Sequence, residues 1–185
     1  MTEDIINDTK NRMLKSIESL KSEMAKIRTG RAHPSLLEHV KINYYGTDTA
    51  LNQLASINVM DARTLAVNAF DKGSIPDIEK GIMNADLGLN PVTAGEIIRI
   101  PIPALTEERR REMTKIARQE GENGKIAIRN IRRDAGNHIR ELSKEKEIGE
   151  DDEKKGLEKI QILTDKYTAR VDELVKDKEA DLMEV

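Results

Sequence analysis

The sequence predicts an α+β protein in which an elongated antiparallel three-helix bundle carries an inserted α/β domain. Three long segments repeat apolar residues at heptad-like spacing, which is typical of helices that pack lengthwise on one another. All five prolines fall between the first and second of these segments, where short alternating runs replace the heptads. Aromatic residues make up 2% of the chain and charged residues 35%, which favours an aliphatic helical bundle over a sandwich or barrel.

The first long helix is predicted over residues 3–27. Its apolar face consists of residues spaced by sevens, fours and threes, namely Ile6, Met13, Ile17, Leu20, Met24 and Ile27. Gly30, directly after Thr29, stands where a helix C-cap favours glycine. The helical pattern therefore ends where the proline-containing region begins.

Residues 31–104 are predicted to form the inserted domain. Strands are expected at four short runs, residues 40–45, 57–59, 65–69 and 97–102. Ser74 stands at the N-cap position of an expected helix that has Pro76 in its first turn. The bundle is then discontinuous and comprises residues 1–30 and 105–185.

The second long helix, predicted over residues 106–144, has two chemically different faces. One is apolar and consists of Met113, Ala117, Gly124, Ala127, Ile131, Ala135 and Leu142. Opposite it lies a strip that we call the basic face, which consists of Arg111, Lys115, Arg118, Lys125, Arg129, Arg132, Arg133 and Arg140. Gly136 is predicted on the basic face, where it either lets a ligand approach the helix backbone or is merely tolerated by the packing.

The distribution of acidic residues decides how the basic face is interpreted. A solvated helix face is the simplest explanation of such a strip. However, Glu122 is the only acid predicted to lie on it, within reach of Arg118 and Lys125. No acid stands three or four residues away from Arg129, Arg132 or Arg133. The strip is therefore predicted to bind an external anion.

The third long helix is predicted to begin after Gly149. Its apolar face consists of Leu157, Ile160, Thr164, Tyr167, Val171, Leu174 and Leu182. The acids of Glu150–Glu153 suit the first turn of a helix because they complement its dipole, and no EF-hand spacing follows them. No metal site is expected there.

The formal net charge of -3 conceals an uneven distribution of charge. Residues 105–140 carry ten basic and six acidic side chains, whereas residues 141–185 carry nine and fifteen. The sequence thus predicts a dipolar molecule, and its basic part can bind an anionic partner despite the negative sum.

No motif in the sequence predicts an enzyme. The three histidines, His33, His39 and His138, have no carboxylate or nucleophile at a spacing that would build a triad. There is no phosphate-binding loop or dinucleotide fingerprint, and the absence of cysteine excludes thiolate metal sites. No cofactor is expected. No apolar run approaches the roughly 20 residues that span a bilayer, so the expected location is the cytoplasm.

Several stretches resemble the bacterial ribosome recycling factors. They are, in chain order, Lys26–Arg31, Pro34–Leu37, Tyr44–Gly46, Gln53–Ala55, Asp86–Pro91, Leu105–Arg110 and Arg129–Ala135. These stretches run in order along most of the chain, which argues against chance similarity.

The resemblance implies an L-shaped monomer of two domains, with a β/α/β arrangement in the inserted one. It implies a translation factor without an active site that binds the large ribosomal subunit after termination. With elongation factor G, such a factor splits the post-termination ribosome for reuse. The resemblance also adds Arg110, at the start of the second helix, to the residues of the basic face that are expected to bind ribosomal RNA.

Two connections join the inserted domain to the bundle, and together they form the expected hinge. Its residues are Arg28, Thr29, Gly30, Arg31, Pro101, Pro103, Ala104 and Leu105. The resemblance implies that the domains rotate about it.

A second function from a different class is an interaction protein whose basic face docks an acidic protein partner. A steep negative dependence of binding on salt would identify RNA instead, because phosphate contacts release counterions.

Overall fold

The computed structural model describes residues Met1–Glu184 and divides the chain into two compact units. One unit comprises Met1–Ile27 and Glu108–Val185, and the other comprises Arg28–Glu107. These boundaries lie three residues outside the predicted ones, so the insertion includes all the residues of both connections. In chain order the elements are α1 (Thr2–Ala25), β1 (Lys41–Tyr44), β2 (Thr47–Ala50), α2 (Leu51–Leu54), β3 (Ala55–Asp61), β4 (Thr64–Ala69), α3 (Ile75–Asn84), β5 (Val92–Ala94), β6 (Ile97–Pro101), α4 (Glu107–Lys144) and α5 (Glu150–Met183).

The bundle unit consists of α1, α4 and α5, and the three predicted long helices are confirmed. α4 runs antiparallel to α5, because Arg118 contacts Glu179 near one end while Gly136 lies beside Leu157 nearer the other. One cluster of the bundle core consists of Ile5, Ile6, Ala135, Ile139, Leu142 and Ile160. The six predicted apolar positions of the first helix are all buried, which confirms its apolar face. The last of them, Ile27, lies beyond α1, which ends at Ala25 and not at the predicted residue 27.

The buried face of α4 differs from the predicted one. Ile128 and Ile139 are fully buried although neither was assigned to the apolar face, and Ala127 is only half-buried. The buried surface is thus rotated toward the side that carries Arg132 and Gly136. The reason is that α4 packs on two helices at once, which a wheel drawn for one isolated helix does not represent.

The insertion contains a four-stranded antiparallel sheet in the order β3-β4-β6-β5 and a separate hairpin, β1-β2. Its core is formed by the sheet, the hairpin and α3, and includes Ile42, Leu65, Ile78, Ile82 and Ile98. The strands predicted from alternation are confirmed as β1, β3, β4 and β6. β2 and β5 were missed, since they are short and carry mostly small or polar residues.

The predicted side-chain cap at the start of α3 is not formed. Ser74 occupies the N-cap position but makes no side-chain capping bond. Its hydroxyl instead donates to the carbonyl oxygen of Asp71 at 2.6 Å. The preceding 3-10 turn, Lys72–Ser74, takes the chain into the helix in place of a side-chain cap.

Both connections are held against the insertion. In the first connection, the Arg28 guanidinium donates a hydrogen bond to the carbonyl oxygen of Leu87 at 2.9 Å. In the second, the backbone amide of Ile102 donates a hydrogen bond to the carbonyl oxygen of Arg63 at 2.7 Å. Gly30 has a φ of 76°, and a Cβ there would lie 3.4 Å from the backbone nitrogen of Leu105. The two connections therefore run side by side, and the left-handed backbone at this position favours glycine.

Candidate nucleic-acid interface

The basic face lies on one uninterrupted helix. α4 spans 38 residues, so Arg111 and Arg140 stand about 44 Å apart along its axis. The exposed members of the face are Arg111, Lys115, Arg118, Arg129, Arg132, Arg133 and Arg140. Lys125 and Arg110 are half-buried. A single rigid element thus displays cations over a length suited to a long anionic surface.

Acids of α5 compensate two of these charges. Arg118 Nε donates to Glu179 Oε1 at 2.5 Å, and Lys125 Nζ lies 2.5 Å from Asp172 Oδ1. The hydrogen bond to Glu179 raises the pKa of Arg118 above its ordinary value. Arg118 therefore stays charged, but a carboxylate already offsets its charge.

The predicted role of Glu122 is wrong. It was expected near Arg118 and Lys125, but it accepts a hydrogen bond from Arg129 Nη2 at 2.6 Å. Arg129 was expected to lack a partner, because only acids three or four residues away were considered. The acids of α5 pair with Arg118 and Lys125, which leaves Glu122 available to another cation. The long side chain of Arg129 then reaches Glu122 across seven residues, about two helical turns.

Uncompensated charge lies toward both ends of α4, whereas Arg118, Lys125 and Arg129 near its middle are paired. Among residues Met1–Glu184, Arg132 and Arg140 form no ion pair, and Arg140 donates only to Asn137 Oδ1 at 3.4 Å. Arg133 lies 3.8 Å from Asp134, whose other carboxylate oxygen accepts from Arg12. In the same described range, Lys115 and Arg110 also have no carboxylate partner.

A groove opens between α4 and α5 beside these arginines. Its volume is about 350 Å³, and it is lined by Arg132, Arg133, Gly136, Arg140, Leu157, Ile160 and Gln161. Gly136 is buried in its floor, so the prediction that this glycine sits among exposed basic residues is wrong in part. It does lie beside a basic side chain, because a Cβ added there would stand 3.3 Å from Arg140 Nη1.

A larger depression lies on the insertion, and its lining favours anions less than the groove of the bundle does. Its volume is about 810 Å³, but Lys41 and Lys80 in its wall are matched by Asp48 and Asp77. Mixed charge gives it no general preference for an anion. The bundle groove is therefore the stronger candidate for binding a phosphate-bearing ligand.

The described residues offer little for metal chemistry. Within Met1–Glu184 no group of three or more histidine, aspartate or glutamate side chains is arranged to hold a metal ion. The acids of Glu150–Glu153 occupy the first turn of α5. Over that same part of the chain, no helix is long and apolar enough to cross a membrane.

Comparisons with known proteins agree on one family. The family model described as ribosome recycling factor matches residues 20–183. The ribosome-recycling factor of Methylobacillus flagellatus is 54% identical over 185 residues, and that of Coxiella burnetii is 56% identical over the same length. In both cases the match covers 100% of each chain.

Two solved structures are also similar over the whole chain. A solution structure of the ribosome recycling factor matches with a TM-score of 0.78 and 38% identity, covering 100% of this chain and 98% of that one. A second structure shows the T. thermophilus ribosome recycling factor with the E. coli elongation factor G bound to the E. coli post-termination complex. It matches with a TM-score of 0.67 and 42% identity, covering 100% of both chains.

Proposed function

The chain belongs to the ribosome recycling factor family, and from that premise we propose that it binds the large ribosomal subunit through the basic face of α4. Its partner in splitting the post-termination ribosome is elongation factor G, the factor that accompanies the relative bound to such a complex. The protein acts as a monomer in the cytoplasm, where ribosomes are found.

The observation that carries this proposal is the unpaired charge of Arg132. This guanidinium is exposed and has no carboxylate partner among residues Met1–Glu184, and Arg140 stands two turns away on the same side. Arginine presents a planar fork of donors that suits phosphate oxygens. Ribosomal RNA offers such oxygens in a dense array, and each contact releases a counterion.

The protein is proposed to work mechanically and without a catalytic site of its own. Arg28–Arg31 and Pro101–Leu105 form the proposed hinge between the bundle and the insertion. Both segments belong to the insertion by their contacts, so the hinge is proposed to bend at its junctions with the bundle unit, at residues 27–28 and 107–108. Elongation factor G would then move one unit while the other stays on the RNA.

The experiment measures affinity for isolated large subunits and for protein-free large-subunit RNA at several salt concentrations. The wild-type chain should bind both with a steep negative salt dependence. Arg132→Glu should weaken binding at least tenfold and flatten the slope by about one counterion or more. Arg170→Glu is the matched control, because Arg170 lies on α5 and is paired with Glu173. Loss of subunit binding without loss of RNA binding would favour an acidic protein partner instead.

A further inference from the structure

The turn between β3 and β4 holds both connections of the inserted domain. The backbone amide of Ala32, directly after the first connection, donates a hydrogen bond to the carbonyl oxygen of Ala62 at 2.8 Å. The backbone amide of Ile102, in the second connection, donates to the carbonyl oxygen of Arg63 at 2.7 Å. We call these two hydrogen bonds the clasp. Consecutive carbonyl groups of one turn thus bind two segments that lie far apart in the sequence.

Both donors of the clasp are buried in the insertion. Ala32 and Ile102 are each 9% exposed, and both belong to the hydrophobic core of this unit. A buried amide without a partner is costly, so the folded insertion favours a closed clasp. Ile102 stands between Pro101 and Pro103, which have no N–H, so its amide is the only backbone donor of these three residues. The second connection therefore depends on this bond.

Asp61 determines the conformation of the turn. Its Oδ1 accepts a hydrogen bond from the backbone amide of Arg63 at 2.9 Å, which closes an Asx turn. Two-residue hairpin loops favour turns that require a positive φ, but neither Ala62 nor Arg63 has one. Hydrogen bonds from Arg63 and Thr64 lower the pKa of Asp61, which keeps the acceptor ionised at neutral pH. The side chain thus stabilises a turn that contains no glycine or asparagine.

We propose that Asp61 is a positioning residue for ribosome splitting, because it holds the turn whose carbonyl groups fix both connections on the insertion. This rests on the proposed function, in which the hinge bends at residues 27–28 and 107–108. With the clasp closed, a displacement of the insertion passes to the bundle through those two short junctions. With the clasp open, each released residue can add up to roughly 3.5 Å of free chain, which absorbs part of the displacement.

Three variants of the full-length chain separate this role from a general effect on folding. Asp61→Ala removes the acceptor and should open the clasp. Asp61→Asn keeps a carbonyl oxygen and should restore the turn, because asparagine also forms Asx turns. Asp71→Ala is the matched control, since Asp71 accepts from the amide of Gly73 at 3.0 Å in a similar turn before α3.

The first readout is the hydrogen exchange of individual backbone amides, measured by NMR. In Asp61→Ala the amides of Ala32 and Ile102 should exchange at least tenfold faster than in the wild type. The amide of Ile82, inside α3, should exchange at the wild-type rate, because the core of the insertion stays folded. Asp61→Asn and Asp71→Ala should leave the exchange of Ala32 and Ile102 unchanged.

The second readout is the splitting of post-termination ribosomes by the protein with elongation factor G and GTP. At saturating protein, Asp61→Ala should split them at least fivefold more slowly than the wild type. Its dissociation constant for large subunits should stay within twofold of the wild-type value, which places the defect after binding. Asp61→Asn and Asp71→Ala should split ribosomes within twofold of the wild-type rate.

Three results would overturn the role of Asp61 while leaving the proposed function intact. One is a wild-type splitting rate in Asp61→Ala. Another is unchanged exchange at Ala32 and Ile102 in that variant. The third is equally accelerated exchange at Ile82, because Asp61 would then stabilise the whole insertion and not the clasp. Failure of the proposed function is distinct and would appear as unchanged subunit binding in Arg132→Glu.

Discussion

At the scale of single residues, ion pairing distinguishes arginines that have equivalent positions in the sequence pattern. Arg118 and Arg132 are both exposed on the basic face of α4. Arg118 is held by Glu179, whereas Arg132 has no carboxylate partner in the described chain. An RNA phosphate at Arg118 must compete with an existing carboxylate, so that arginine contributes less free energy of binding.

Neutralising these two arginines should therefore have unequal effects. Arg132→Gln should weaken binding to large subunits by roughly tenfold, a loss of about 1.4 kcal/mol, whereas Arg118→Gln should weaken it less than threefold. The measurement is the dissociation constant of each variant at one fixed salt concentration. Equal losses would mean that the pair with Glu179 does not persist when the protein binds.

The sequence predicted the exposure of these side chains but not their partners. Exposure follows from helical periodicity, which is local. Glu179 and Asp172 belong to another helix, and their approach to Arg118 and Lys125 depends on how α4 and α5 pack. Glu122 was assigned to the wrong cation because a rule for adjacent turns ignores such competition.

At the scale of elements, the glycines of α4 set how closely α5 approaches. A Cβ at Gly121 would collide with Cγ2 of Val175, whose β-branched side chain has little freedom to move. At Gly124 the nearest atom, Leu20 Cδ2, is 3.4 Å away. Gly121 is thus required by the packing, whereas Gly124 is not.

Alanine at these two glycines should have opposite effects on stability. Gly121→Ala should lower the free energy of unfolding by about 1–3 kcal/mol through overpacking. Gly124→Ala should raise it by up to about 1 kcal/mol, because alanine favours the helix. Urea denaturation followed by circular dichroism measures both. A stabilised Gly121→Ala variant would contradict the close approach of α4 to Val175.

The elements themselves were largely predictable, for reasons that differ between the two units. Long heptad seams specify α1, α4 and α5, because repeated apolar spacing has one structural solution over such lengths. β2 and β5 were missed because their edge positions demand no apolar alternation. The groove at Gly136 was not predictable, since it depends on the rotation of α4 against α5.

At the scale of the whole molecule, each unit has a core of its own. The core cluster around Ile42, Leu65 and Ile98 consists of insertion residues, and the cluster around Ile5, Ile139 and Ile160 consists of bundle residues. Gly30 and Leu105 lie side by side, so the two connections come together. Each unit therefore has what independent folding requires.

The bundle should fold without the insertion. Residues 1–27 joined to residues 108–184 by a short glycine-serine linker should give a helical protein that unfolds in one cooperative transition. Circular dichroism during heating measures this. A product with a broad, non-cooperative transition would show that the insertion is needed for the bundle to fold.

The most direct test of the account is light scattering of post-termination ribosomes mixed with the protein, elongation factor G and GTP. The wild type and the Arg170→Glu control should split the ribosomes into subunits, which lowers the scattering. Arg132→Glu should not split them at the same concentration, and its activity should return partly at higher concentration, because the defect is in binding. Splitting by Arg132→Glu at the wild-type rate and concentration would contradict the basic face of α4 as the ribosome-binding surface.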